Sequence, residues 1–319
     1  MTTQTITKWE QASALFGALV WAVLTGMAGM RKAPLGVIEL LFLFAPLVIV
    51  PVGLALGRMV LPLNDPTVQF WLSRLQPAAA ICTVISFWLA PGWMSGIFAI
   101  PWLLFCGVIA LAGALTLRRT TSRSLVTWAV NIGRIDLAVA GGWLAMSRLG
   151  MRPLGIQEPI GLLTAVHFHY TGFAAALLAG TLLAHTRSKK RQDTILKFVV
   201  PLVMSTPFVV AAGFVYSTTL KMAAALVLSA SIVALAMVQL WASRSLSARV
   251  SRIYIGLSAM SVVVGMVLAS VYAIGDWLKQ DWLLILRTAS THGLLNGLGF
   301  SLLGLLGWTI ERSLSSTQT

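Results

Sequence analysis

Three histidines occupy sequence that is otherwise fit for the interior of a bilayer. His167 and His169 lie inside the run GLLTAVHFHYTGFAAALLAG, and His292 lies inside THGLLNGLGFSLLGLLGW. An ionisable group at membrane depth is costly unless it faces protein or water, so each one marks a candidate site. Glu39, Arg134 and Asp136 interrupt two further apolar runs. Imidazoles beside carboxylic acids supply general acid/base chemistry, because burial and a hydrogen-bonded partner can tune either group. The same side chains are O and N ligands for zinc or iron, and facing histidines can hold haem. The spacing argues otherwise: the chain has no H-x-x-x-H, E-x-x-H or C-x-x-C. Nor is there a Gly-rich phosphate loop or a serine nucleophile elbow. The expectation is acid/base chemistry with no cofactor and no metal.

Helical angles decide which of these groups can meet. At about 100° per residue, Thr164, His167 and Thr171 share one face with Tyr170 at its edge, while His169 points nearly the opposite way. Either one of the two histidines holds structure, or the helix is distorted there. His292 and Asn296 stack on one face with Thr288. Thr127, Asn131 and Arg134 form a polar stripe, and Asp136 faces elsewhere. Each group also has a plainer role: a packed imidazole (His169), an interfacial one (His185), a solvated or paired acid (Glu39 with Arg31 or Lys32), or helix glue (Arg134, Asp136).

The elements that position these groups are membrane spans. Of 319 residues, 58% are hydrophobic and 10% are charged, with a mean hydropathy of +0.87. No soluble fold of this length covers so much apolar surface. Segments of roughly 20 apolar residues fall near 11–29, 36–58, 76–93, 96–117, 125–147, 158–185, 196–217, 220–242, 251–274 and 289–310. The expected fold is all-α: a single polytopic helix bundle over residues 1–319, with about ten spans. With ten spans, fifteen of the 23 Lys and Arg residues fall on the side shared by the termini and seven on the other, with Arg134 inside a span. That bias predicts both termini in the cytoplasm. It also explains the net charge of +14 without nucleic acid. Cys82 and Cys106 both sit in apolar sequence and offer no disulfide framework. The first span lacks a basic leader, so a cleaved signal peptide is not expected.

Two connections read as surface helices rather than spans, DWLKQDWLLILR (276–287) outside and LPLNDPTVQFWLSRL (61–75) inside. RSKKRQD (187–193) reads as a solvated loop near anionic lipid. Pro46 and Pro51, and Pro201 and Pro207, should kink the second and seventh spans. Spans six and ten share a short echo, HYTGFAAALLAG against NGLGFSLLGLLG, with His169 aligned to Asn296. In this topology Glu39, Asp136, His167, His292 and Asn296 occupy one layer between mid-membrane and the outer interface, with His167 roughly 12 Å deep at the helical rise. The inner half reads as mostly apolar.

The segments HFHYTGF (167–173), HGLLNGLGF (292–300) and IELLFLFAPLVIVPVGLAL (38–56) resemble the YndJ-like family of bacterial membrane proteins. The resemblance implies a polytopic bacterial membrane protein and puts Glu39, His167, His169, Tyr170, His292 and Asn296 at family-like positions. It implies no reaction.

The residues themselves suggest an intramembrane isomerase or cyclase in the bacterial inner membrane, acting on a lipophilic substrate of isoprenoid or polyketide type that enters from lipid. The cavity would lie among spans two, five, six and ten. Glu39 or Asp136 would protonate the substrate, and His167 or His292, with Asn296, would complete the proton transfers. His169, Tyr170, Thr171 and Arg134 would bind substrate, and Tyr170 and tryptophan rings would stabilise positive charge. The alternative is a proton-coupled secondary transporter, which needs titratable groups near the midplane and polar residues in the inner half. A scaffold whose polar groups only glue helices is the third reading.

Overall fold

The computed structural model describes residues 7–63, 65–121, 124–186 and 190–317, with side chains described as far as residue 314. Ten long helices follow one another: α1 Lys8–Gly29, α2 Val37–Val60, α3 Pro66–Ser86, α4 Trp93–Arg119, α5 Leu125–Arg148, α6 Ile160–Thr186, α7 Lys190–Tyr216, α8 Thr218–Ser243, α9 Arg249–Trp277 and α10 Ile285–Leu314. The protein is an all-α polytopic bundle. Eight of the helices are long and apolar enough to cross a membrane; α3 and α5 are the other two. In α5 the apolar face is broken by Asn131, Arg134, Asp136 and Arg148, all buried inside the bundle.

Both expected surface helices resolve differently. The 61–75 segment is absorbed into α3, which starts at Pro66 because Asp65 caps it, accepting from Thr67 N at 2.8 Å, with proline at the first helical position. The 276–287 segment forms no helix of its own. Instead α9 runs to Trp277 and ends in a tight turn with Lys279 at φ 57°, and α10 begins at Ile285. Within that turn Gln280 N donates to Gly275 O at 2.8 Å. Asp276 is held by Lys221 of α8 at 2.8 Å, which fixes the end of α9 against its neighbour. Of the basic run 187–193, residues 187–189 lie outside the described residues, and Lys190–Asp193 form the first turn of α7 rather than a loop.

The prolines act unequally. In α7 both lie within one continuous helix. In α2 the ladder widens to a π-helical segment at Ala45–Ile49. Such an interruption frees carbonyls that lipid cannot satisfy, and neighbouring helices must do so. Three of them do. Trp21 of α1 donates to Leu40 O at 2.8 Å, Tyr170 of α6 to Leu41 O at 2.8 Å, and Gln76 of α3 to Pro46 O at 2.6 Å. Ser13 of α1 donates in turn to Gln76 Oε1 at 2.7 Å. Gly17 lets α1 approach closely: a Cβ there would sit 1.8 Å from Leu47 O. The α2 helix is therefore a buried axle of the bundle, and its irregularity is compensated from three sides.

Helices α6 and α10 carry π-helical segments as well, at Phe168–Ala175 in α6 and at Ala289–Gly293 and Leu295–Leu302 in α10. These are the two stretches that echo each other in sequence. They also touch, because Gly297 packs against the Tyr170 ring, with a Cβ there 3.3 Å from Tyr170 Cε1. π-Bulges re-aim side chains and concentrate at functional sites.

Candidate functional site

A cleft opens at the end of the bundle where α2, α6 and α10 begin. Its atom-free volume, counted out to the mouth, is about 1190 Å³. Leu41 of α2 and Ile160, Leu163 and Phe168 of α6 supply part of an apolar wall, completed by Val210 and Phe214 of α7 and Ala269 of α9. Against that wall stand Thr164, His167, Tyr170 and Thr171 from α6, and Thr288, His292 and Asn296 from α10. The two polar faces drawn from helical angles thus meet across one space. A deeper lobe continues past them to Ser229 of α8 and Ser301 of α10. Lys221 and Tyr272 line the cleft too, and Lys221 lies over the Phe214 ring at 4.6 Å while paired to Asp276.

The geometry of the imidazoles is specific. His292 Nδ1 lies 2.8 Å from Gly265 O, so the Nδ1–H donates to that carbonyl. Its Nε2 is then the acceptor, and Asn296 Nδ2 reaches it at 3.1 Å. Gly265 is required there, because a Cβ would sit 2.7 Å from Asn296 Oδ1. The carbonyl Oδ1 of Asn296 has no partner of its own. Across the cleft, His167 Nε2 is buried and also without a hydrogen-bond partner, within electrostatic reach of His292. Buried polar atoms are nearly always paired, so unpaired ones on a cavity wall are places where a ligand or water binds. Tyr170 spends its hydroxyl on Leu41 O and presents its ring.

The remaining candidates lie elsewhere. Glu39 does not line the cleft; its Oε2 folds back to accept from Gly36 N at 2.9 Å, capping α2. Asp136 is fully buried between α5 and the π segment of α6, both oxygens unpaired, with Gly172 so close that a Cβ there would lie 2.9 Å from Oδ2. Neither acid faces the histidines, so an acid from α2 or α5 cannot complete a dyad in this cleft. His169 is turned to α4: Trp102 Nε1 donates to its Nε2 at 3.1 Å, its Nδ1 donates to Ala165 O at 2.8 Å, and Phe42 meets it edge-on. That arrangement uses both ring nitrogens, and it resolves the angular conflict with His167: one imidazole is structural, and the helix is distorted as well. Arg134 points to the opposite end, donating to Asn131 Oδ1 at 2.9 Å and to Leu61 O. The cleft walls come from α7, α8 and α9 where span five was expected, and no tryptophan lines it.

That opposite end is not apolar as expected. A recess of about 550 Å³ is lined by Glu10, Arg58, Gln69, Gln76 and Arg134, with Glu10 and Arg58 paired at 2.6 Å. Sequence reasoning also missed Trp102, Lys221, Gly265 and Ser301. Only Lys221 carried a signal, as a lone cation near the start of a span. Among the described residues, no three His, Cys, Asp or Glu side chains gather as a metal site.

Comparisons with known proteins agree with this architecture. The chain is 27% identical over 244 residues to an uncharacterized membrane protein, YndJ, of Bacillus subtilis (strain 168), an alignment covering 75% of the chain and 42% of the relative. The chain therefore spans about two fifths of that relative's length. No solved structure matches. A family model described as YndJ-like protein matches residues 40–300, which include Thr164, His167, Tyr170, Thr171, Thr288, His292 and Asn296 of the cleft. With most of its length matched, the chain belongs to the YndJ-like family.

Proposed function

We propose that the outer cleft receives a lipophilic small molecule from the membrane of a bacterial cell, and that His167 and His292 move a proton on it. The carrying observation is the pair of imidazoles facing one apolar cleft, one with an unpaired Nε2 and the other with its tautomer set by Gly265 O. With its Nδ1–H fixed by Gly265 O, His292 has an Nε2 lone pair of defined direction, which accepts from Asn296 Nδ2 and becomes a base when that amide turns to the ligand. His167 Nε2 is the group that takes a proton from bound substrate. Asn296 orients the second ring and offers its free Oδ1 to a donor on the ligand. The apolar walls favour a hydrocarbon skeleton, and the lack of bulk polar surface around the rings suits a non-redox isomerisation or cyclisation, in which protons enter and leave with no change in composition. The acid in this reading is an imidazolium or the substrate itself, since Glu39 and Asp136 stand outside the cleft.

The test is direct. Protein purified in nanodiscs is incubated with a lipid extract of its host, and bound and converted lipophiles are followed by mass spectrometry and chromatography. The expected result is an enriched lipophile that returns with unchanged mass and altered retention. His167→Gln should retain the molecule and lose conversion by at least ~100-fold, in the range for removal of a general base. Wild-type protein carrying nothing beyond bulk lipid, or His167→Gln converting at the full rate, refutes the proposal.

A carrier is the second reading, and the recess at Glu10, Arg58 and Arg134 favours it, because polar surface then exists at both ends of the bundle. Accumulation of the same lipophile in one leaflet, with no chemical change, would establish it.

A further inference from the structure

We propose that the recess at the end of the bundle opposite the cleft binds the phosphate of an anionic head group, presented by a membrane lipid. The observation is a buried guanidinium with no counter-charge. Arg134 lines the recess and is 4% exposed. Among the described residues, which include all nine acidic side chains, no carboxylate lies within ion-pair distance of it. Its two hydrogen bonds go to neutral oxygens, Asn131 Oδ1 on its own helix and Leu61 O just past the end of α2. Asp136, two residues further along α5, faces Gly172 of α6 instead. A guanidinium carries five N–H donors, so two such bonds leave most of the fork and the whole charge for a ligand. A cation buried within a membrane bundle that borders a cavity is a mark of such a ligand site.

The other charges of the recess do not supply the missing anion. Glu10 of α1 accepts from Arg58 of α2, at 2.6 Å from Nη2 and 3.2 Å from Nε. The same carboxylate also accepts from Thr7 N at 2.9 Å and Thr7 Oγ1 at 3.0 Å. The lining therefore holds two guanidiniums against one carboxylate that is already engaged. The stem of Arg134 is wedged against α4, where a Cβ on Gly113 would sit 3.0 Å from Arg134 Cβ. An arginine held in this way presents a planar fork that matches two oxygens of a phosphate. Basic pockets between membrane helices take lipid head groups by the same chemistry.

The surroundings favour a lipid as the source of the phosphate. Beside the polar groups, Pro51 and Leu54 of α2, Leu72 of α3 and Ile109 of α4 give the recess an apolar wall. Ser73 of α3 is part of the lining, and Trp9 Nε1 donates to Ser73 O at 2.8 Å. The Arg74 guanidinium lies 4.5 Å over the Trp9 ring and 5.0 Å over the Phe70 ring. Trp9, Phe70, Trp71 and Leu75 are each between 41% and 56% exposed, so an apolar and aromatic rim adjoins the recess. Tryptophans concentrate at the level of lipid head groups. A phosphate seated on Arg134 leaves the acyl chains of its lipid to lie along that rim.

The experiment uses the purified full chain, stripped of lipid in detergent and read by native mass spectrometry. It is offered phosphatidylglycerol and phosphatidylcholine of identical acyl chains, and separately glycerol phosphate, which has the phosphate without the tails. Wild type should retain one phosphatidylglycerol per chain with at least ~10-fold preference over phosphatidylcholine, in the range for charge-assisted hydrogen bonds. Arg134→Gln should lose that preference, and Arg134→Lys, which keeps the charge without the fork, should fall between the two. Ser73→Asp puts a carboxylate on the half-buried wall and leaves every buried residue unchanged. It should lower retention at least ~10-fold by like-charge repulsion, and it guards against misfolding of the Arg134 variants. Glycerol phosphate held as tightly as the lipid, and only with Arg134 present, supports the anion site and assigns it to a soluble phosphate ester. Equal retention of both lipids with no uptake of glycerol phosphate, or binding that Arg134→Gln and Ser73→Asp leave unchanged, overturns the proposal. No conversion is measured, so failure here leaves the cleft reading standing.

Discussion

Removing the Tyr170 hydroxyl should destabilise the bundle without emptying the cleft. Tyr170→Phe keeps the ring against Gly297 and deletes only the donor to Leu41 O, a 2.8 Å bond between residues 129 positions apart. A neutral hydrogen bond contributes about 0.5–1.5 kcal/mol, and a buried carbonyl left unpaired adds up to about 1–3 kcal/mol. Side-chain hydrogen bonds between membrane helices average nearer ~0.6 kcal/mol, because the unfolded chain in lipid finds other partners. Leu41 lies just before the π-helical segment of α2 and is 2% exposed, so relief by water is limited and the cost should be about 1–2 kcal/mol. Trp21→Phe removes the donor to Leu40 O and should cost about the same. Gln76→Leu removes two bonds, to Pro46 O and from Ser13 Oγ, and should cost about 2–3 kcal/mol. The assay is reversible unfolding in mixed micelles, scored by the shift in midpoint and checked for unchanged slope. The donors come from three different helices, so a double variant of Tyr170 and Trp21 tests whether they act on one unit. Couplings above ~0.5 kcal/mol mark residues sharing a structural element. If all three single variants unfold at the wild-type midpoint, the carbonyls of α2 need no donors and the account of this helix fails.

Three further outcomes follow from the packing. Gly17→Val should detach α1, since even a methyl there meets Leu47 O at 1.8 Å; limited proteolysis within the first 36 residues should rise while α2–α10 stay protected, and an unchanged digest refutes it. Trp102→Phe should lower stability by about 1–2 kcal/mol by unpairing His169 Nε2, yet leave lipophile conversion within twofold, so a larger loss of conversion would return His169 to the site. Glu10→Gln should cost about 1–3 kcal/mol, because Arg58 and Glu10 are each 11% exposed and the remaining charge loses its counter-ion. Restoration by Arg58→Gln in the same protein, read as recovery of the unfolding midpoint, checks the pairing.

The faces of single helices were legible in the sequence, and their neighbours were not. Thr164, His167 and Thr171, and Thr288, His292 and Asn296, follow from spacing alone because a helix repeats every 3.6 residues. That those two faces meet across a cleft walled by α7–α9 is a tertiary fact with no local signal. Glu39 illustrates the limit. At an exposed helix start its spacing after Gly36 fits a cap as well as a catalytic acid, and the cap is what forms. Asp136 reads as an acid near mid-membrane; it is fully buried within the bundle, but it faces Gly172 rather than the histidines. Irregularity was legible at two of the π-helical segments, through Pro46 and Pro51 in α2 and the angular conflict of His167 with His169 in α6, but its π form was not, and the segments of α10 gave no sign.

The bond from Tyr170 to Leu41 O also bears on the order of assembly. Synthesis proceeds at about 5–20 residues per second, so the tyrosine that seals Leu41 emerges roughly 6–26 s after its target carbonyl. During that interval α2 stands in the translocon or the lipid with a polar gap on one flank. A cysteine introduced in place of Leu41 should therefore react with a water-soluble alkylating probe while the ribosome is stalled before α6, and lose that reactivity once Tyr170 is in place.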